Sequence, residues 1–239
     1  MATFNHAINS AVATGIAEII TLPICTMKTV YQNTNSTSIT QTIKHIFQTS
    51  GIKGFYKASA PAILSQMFST SSKFALYKKM EDLQLPYTNK ISNGVISGVV
   101  TTIFTHPLDV VKIHWQMNER LMNSLHTNGM QLFYRGYSKS LSKVALGSAL
   151  FFPLTDYSKQ LTCNNIILAS FLSGFTSTLI VHPVDYLKTR HIYGLPLYQG
   201  INPKVYYKGL SLNLLRIVPH FILVMTGIEV IEKYRSQLV

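Results

Sequence analysis

The sequence predicts an all-α membrane protein of six helices in three helix-connection-helix units, and three observations carry that expectation. The chain of 239 residues is 47% hydrophobic and only 13% charged, against roughly 25% charged residues in an ordinary soluble domain. The stretch HPLDVVKIH at residues 106–114 returns 76 residues later as HPVDYLKTR at 182–190. A third copy, LPICTMKTV at 22–30, keeps the proline and the lysine but has Cys25 where the others have aspartate.

The first helix of each unit is the apolar segment that carries the motif, roughly residues 5–32, 90–117 and 165–191, with Pro23, Pro107 and Pro183 late in each. A proline inside a helix removes a backbone hydrogen bond and bends the axis, which membrane helices accept where neighbours or water restore the lost partner. These three prolines are therefore expected to be helix kinks. Small residues four apart precede each kink, Ser10 and Thr14, Gly94 and Gly98, Ser170 and Gly174, a spacing that lets helices approach closely in a bilayer. A polar connection then leads to an aromatic-basic signal, FYKAS at 55–59, FYRGY at 133–137 and YYKGL at 206–210. The second helix of each unit follows, at about 58–80, 136–158 and 209–232.

None of these segments offers the ~18 uninterrupted apolar residues of a simple lipid-exposed span. Ser, Thr, Gly, Pro and occasional charges interrupt them, so each helix is expected to have a wet or packed inner face. Within the motif, aspartate two past the proline and lysine five past it are three residues apart and share one face. Charges on that face of a membrane helix must be paired or wet.

A formal charge of +12 calls for acidic partners: anionic lipid head groups, an anionic solute or nucleic acid. The basic residues are scattered through apolar segments and joints, with no basic arm and no RNA-binding or zinc-finger signature, so no nucleic-acid partner is expected. Cys25 and Cys163 make no metal or disulfide pattern. His106 and His182 each stand alone at their prolines, without a second ligand at metal spacing, and are assigned to helix geometry. Walker, nucleophile-elbow and paired-carboxylate patterns are absent from the sequence, and neither an enzyme nor a cofactor is expected. The N-terminal MATFNHAINSAVATG has neither a signal peptide's charged start nor the arginine of a transit peptide, so any address is expected to be internal.

The threefold pattern, P-x-[DE]-x-x-[KR] followed by aromatic-[KR]-Gly, resembles the signature of the mitochondrial carrier family over essentially the whole chain, as an unusually short member. The resemblance implies six transmembrane helices in a threefold pseudosymmetric barrel, a monomer whose central cavity opens alternately to the two sides of the mitochondrial inner membrane. Its repeats would be residues 1–88, 89–163 and 164–239, forming one integral domain. The connection of the second repeat, between Gln116 and Asn128, is expected to be trimmed. The resemblance also implies gate salt bridges of Asp109 with Lys188 and of Asp185 with Lys28. Lys112 would lack its acid, because Cys25 stands there. Gln32 and Gln116 match glutamines that brace such bridges, and Ile192 replaces the third. Val30 and His114 stand where a second basic residue is usual, and only Arg190 keeps it. At the opposite end only Asp156 and Lys159 keep the family's aromatic-[DE]-x-x-[KR] charges; Tyr77 leads into Lys78 and Glu81 in reversed order, and Glu229 is followed by Glu232. Lys78 with Glu232 is the substitute pairing expected. Lys53, Lys57, Arg135 and Lys208, at the joints, are the expected contacts for membrane lipid such as cardiolipin.

The resemblance places solute contacts nine residues past the aromatic that precedes each basic residue: Ser65, Lys143 with its neighbour Val144, and Arg216. Steps of four along the same faces add Ser69, Lys73, Gly147, Phe151, His220 and Val224, and Glu18, Thr102 and Thr178 lie five before the prolines. An isolated charge at mid-membrane costs about 2.5–3.5 kcal/mol, so Lys143 and Arg216 at one depth call for counter-charge, water or a ligand. The expected substrate is an anionic small molecule, with nucleotides leading because two cations and nearby Lys73 suit a polyphosphate. Phosphate and carboxylates are the alternative solutes, and a non-transporting membrane scaffold is the alternative function.

Overall fold

The computed structural model describes residues 2–83, 89–119, 121–162 and 166–236. Among them the long helices are α1 (Ala2–Asn33), α3 (Ser59–Asp82), α4 (Lys90–Gln116), α6 (Tyr137–Leu161), α7 (Ile166–Tyr193) and α9 (Leu210–Ser236), joined by the shorter α2 (Ile39–Ser50), α5 (Leu121–Asn128) and α8 (Pro203–Tyr206). The connecting helix shrinks from twelve residues to eight and then to four, so the second unit is trimmed relative to the first and the third is shorter still.

The long helices pack in chain order, α1 on α3, α3 on α4, α4 on α6, α6 on α7 and α7 on α9, and α9 returns to α1. Gly227 permits that last contact, since a Cβ there would lie 3.0 Å from the Cβ of Ala13. Likewise Gly98 lets α4 approach α6, where a Cβ would stand 2.6 Å from Val144 Cγ1; Gly174, by contrast, has open space beside it. The odd helices α1, α4 and α7 also meet one another inside the ring.

Polarity is distributed inside out relative to a soluble protein. Glu18, Lys28, Asp185 and Arg190 are buried, while Ile20, Leu64, Phe104 and Leu215 are more than half exposed. Buried charge with an apolar exterior is the arrangement a bilayer demands. The segments Ile8–Asn33 and Ile91–Gln116 are long and apolar enough to cross one.

Local chemistry sets the helix ends. Asn89 and Ser92 form a reciprocal capping box at the start of α4, the arrangement that satisfies otherwise orphaned amides. The C-termini of α4 and α7 share a left-handed residue eleven past the proline, Asn118 at φ 61° and Gly194 at φ 86°. In both, the following amide reaches back five residues, Glu119 to the His114 carbonyl and Leu195 to the Arg190 carbonyl, the pattern of a Schellman cap. Pro23, Pro107 and Pro183 lie inside their helices, and Pro153 and Pro219 lie inside α6 and α9 as well.

Candidate functional site

The aromatic-basic signals explain how the units lock together. Gly136 and Gly209, with φ of 77° and 83°, turn the chain into α6 and α9 in a conformation glycine adopts without steric cost. In the first unit Ala58 stands at this position and keeps a negative φ of -97°, so the sequence departure has a matching backbone departure. In two of the three units the residue nine past the proline packs on the glycine of a neighbouring unit: a Cβ on Gly209 would meet Gln32 Cγ at 3.1 Å, and one on Gly136 would meet Ile192 Cγ1 at 3.0 Å. An isoleucine can serve there because the contact is one of packing.

Each basic residue of the signal reaches the next unit at the end of its odd helix. Lys57 donates to the Asn118 side chain, the Arg135 guanidinium lies where a Cβ on Gly194 would clash at 2.5 Å, and Lys208 donates to the Thr34 carbonyl at 2.7 Å. Thr34, Asn118 and Gly194 are all eleven past their prolines. A cation at a helix C-terminus is favourable against its orphan carbonyls and dipole. The Lys208 ammonium also sits 4.7 Å from the centre of the Tyr31 ring, and burial, then Arg190, hold its pKa below the usual lysine value. Of the four residues expected to contact lipid phosphate, three are thus engaged with protein, and Lys53 alone among them is exposed without such a contact.

The histidines before the prolines tie odd and even helices within a unit. His106 Nε2 lies 3.1 Å from the Arg135 carbonyl and its Nδ1 lies 2.9 Å from Ser140 Oγ. His182 repeats this with the Lys208 carbonyl at 3.3 Å and Asn213 at 3.5 Å. In the first unit the corresponding residues are Leu22 and Ala62, and they pack together as a buried apolar pair with Cys25.

At the inner faces of α1, α4 and α7 lies a cavity of about 160 Å³. Lys28 meets Asp185, and Lys188 lies 2.7 Å from Asp109, so the structure brings together the two pairs that the motif singles out. Lys28 also donates to Asn213 Oδ1 at 3.0 Å. Lys112 is not without an acid: its Nζ lies 2.8 Å from Glu18 Oε1, and Glu18 is fully buried. The other oxygen of Glu18 is 2.5 Å from Arg216 Nη2, with His220 Nδ1 at 4.0 Å. Lys143 lies 2.5 Å from the second oxygen of Asp185.

Several residues assigned to solute contact sit elsewhere. Ser65 donates to Asp109 Oδ1 at 2.8 Å and so supports a bridge instead of lining the cavity, where its neighbour Gln66 is found. Val144 is turned into the helix interface against Gly98, one step of 100° away from Lys143. His220 contacts Thr21 Oγ1 at 3.2 Å. Lys73 is half-buried and outside the cavity lining, which holds Lys143 and Arg216. The glutamines do not touch a bridge: Gln32 accepts from Thr189 and donates to the Lys208 carbonyl, and Gln116 donates to Thr26.

Lys28, Lys112, Lys143, Lys188 and Arg216 give five cations around the cavity, against the three carboxylates Glu18, Asp109 and Asp185. Among the described residues Arg216 Nε is buried with no hydrogen-bond partner. The side chains of Lys78, Phe151, Asp156, Ser170, Glu229 and Glu232, together with Cys163, lie outside the described residues, and with them the opposite charge cluster. Among the described residues no group of His, Cys, Asp and Glu is arranged to hold a metal.

Comparison with known proteins places this arrangement. The family model for mitochondrial carrier protein matches residues 1–88 and 83–166. A mitochondrial carrier-like protein of Acanthamoeba polyphaga mimivirus is 53% identical over 99% of this chain and 100% of its own length. Mitochondrial brown fat uncoupling protein 1 of Mesocricetus auratus is 24% identical, covering 96% of this chain and 91% of that protein. The chloroplastic thylakoid ADP,ATP carrier protein of Arabidopsis thaliana is 25% identical over 77% of this chain and 52% of its own length.

Proposed function

The chain belongs to the mitochondrial carrier protein family, whose members are membrane transporters and not enzymes, and from that premise we propose that it exchanges anionic metabolites, nucleotides first, across the mitochondrial inner membrane. The observation that carries the choice of an anion is the excess of cations at the cavity, five against three carboxylates. Arg216 adds a buried Nε with no partner among the described residues, a donor for a second prong of contact with phosphate.

In this reading residues 1–88, 89–163 and 164–239 are three repeats of one monomeric, threefold pseudosymmetric barrel of six transmembrane helices. The pairs Asp109–Lys188, Asp185–Lys28 and Glu18–Lys112 close one face. The cavity of about 160 Å³ is below the roughly 300–1,000 Å³ of ligand pockets, as expected when five cations are drawn in by three carboxylates. A polyanion entering from the open side competes for Lys143 and Arg216, and Asp185 and Glu18 keep Lys28 and Lys112 as partners when it does. Pro23, Pro107 and Pro183 are the bends about which the odd helices reorient for alternating access. Cardiolipin contact falls to Lys53 and to backbone amides at the joints.

The test is exchange in liposomes of purified protein, with ADP, inorganic phosphate and a dicarboxylate as labelled solutes. Saturable ADP exchange above the other two supports the reading. Preference for phosphate or dicarboxylate keeps the carrier and changes its substrate, and no movement of any solute by folded protein turns the reading to a carrier-like scaffold.

A further inference from the structure

Cys25 occupies the place where α4 and α7 carry Asp109 and Asp185, two residues past the proline. Lys112 consequently has no acid at its own level on α1, and finds one deeper, at Glu18. Seven residues separate Glu18 from Cys25; two helical turns return to nearly the same face, about 10 Å along the axis. Glu18 thus projects on the same side of α1 as Cys25, nearer the middle of the helix, and the long lysine stem spans the difference. One of its oxygens serves Lys112 and the other Arg216, with no solvent exposure. A carboxylate so enclosed is tolerable only while cations hold it.

We propose that Glu18 is the displaced third gate acid, and that by sharing its carboxylate between Lys112 and Arg216 it sets gate closure against solute binding. The second half of this inference rests on the carrier reading of Arg216, and the first half does not. Glu18 and an anionic solute compete for the same guanidinium. Removing the carboxylate therefore has opposite effects on two measurable quantities: the closed face weakens, because Lys112 loses its partner, and the solute is held more tightly, because Arg216 is released to it. A residue that merely supported the fold would weaken both.

The experiment compares Glu18→Gln, Glu18→Gln with Cys25→Asp, and that pair with Lys112→Gln added. Thermal unfolding in detergent, without solute, reads closure. Glu18→Gln is expected to unfold several degrees below wild type, Cys25→Asp to recover most of the difference by offering Lys112 an acid at its own level, and Lys112→Gln to abolish the recovery. If Cys25→Asp stabilises equally with and without Lys112, or not at all, the gate assignment is overturned. If Glu18→Gln cannot be obtained folded, recovery of folded protein by Cys25→Asp supports the assignment and failure to recover it overturns it. Half-saturation of ADP exchange reads the competition: it is expected to fall several-fold in the Glu18→Gln, Cys25→Asp protein, and an unchanged or raised value overturns the coupling. Where wild type exchanges no ADP, the substrate reading has failed, and the thermal series still decides the gate.

Discussion

The Lys143 ammonium lies 2.5 Å from Asp185 Oδ1, on the carboxylate that also holds Lys28. One acid of α7 therefore serves a cation of α1 and a cation of α6, and the charges at the depth assigned to solute are continuous with those that close the cavity. Glu18 repeats the pattern with Lys112 and Arg216.

The Asp109–Lys188 pair is the more accessible of the two motif pairs, with 27% and 12% of the side chains exposed. Asp109→Asn leaves Lys188 without a counter-charge and weakens the acceptor for Ser65. A loss of about 1.5–3 kcal/mol is expected, the range for hydrogen bonds to charged groups. The swapped variant Asp109→Lys with Lys188→Asp is expected to regain much of it, as read by thermal unfolding in detergent; no regain would show that the pair is not what α4 and α7 gain from each other.

The repeated histidine latch permits a transplant between units. His106→Leu strands the Ser140 hydroxyl and the Arg135 carbonyl, at about 1–3 kcal/mol for a buried group left unsatisfied. Adding Ser140→Ala recreates the apolar pair that Leu22 and Ala62 form in the first unit and is expected to recover part of the loss, because replacing both partners is far less costly than replacing one. Neither change is expected to alter the half-saturation of solute exchange. A large shift there would mean that His106 touches solute.

At Gly194 a side chain meets two obstacles, a φ of +86° and the Arg135 guanidinium at 2.5 Å from the new Cβ. Gly200, at φ +92° with nothing within 4 Å, meets only the first. Gly200→Ala is expected to cost about 1–2 kcal/mol from the positive-φ backbone alone, and Gly194→Ala more, since Arg135 must also move. Equal losses on thermal unfolding would argue that Arg135 gains nothing from its seat on the next unit.

How much of this was legible in the sequence follows from what a repeat encodes. Three copies of one pattern fix the six long helices and their prolines, side chains three apart put aspartate and lysine on one face, and the family resemblance supplies the Asp109–Lys188 and Asp185–Lys28 pairs. A repeat says little about a position where the copies disagree. Cys25 reads as a missing acid, and only three dimensions show Glu18, two turns away on the same face, taking its place. Helix phase is the other limit: a counted offset is good to about one residue, and one residue is 100°. That step separates Lys143 from Val144 and Gln66 from Ser65, cavity from interface. The seats of Lys57, Arg135 and Lys208 on Asn118, Gly194 and Thr34 were open to notice, because all three lie eleven past a proline, but only the conformation of the helix ends gives that number meaning.

ADP exchange by wild type, Lys143→Ala and Arg216→Ala in liposomes at matched levels of folded protein tests the central claim most directly. If both residues hold the phosphates, each alanine variant loses about 2–5 kcal/mol, as buried charge pairs at interfaces do when one partner is truncated, which is roughly thirtyfold to several thousandfold in affinity. Arg216→Lys is expected to be damaging too, because an ammonium cannot make a two-pronged contact. Exchange of ADP at wild-type affinity by both alanine variants would contradict the phosphate site.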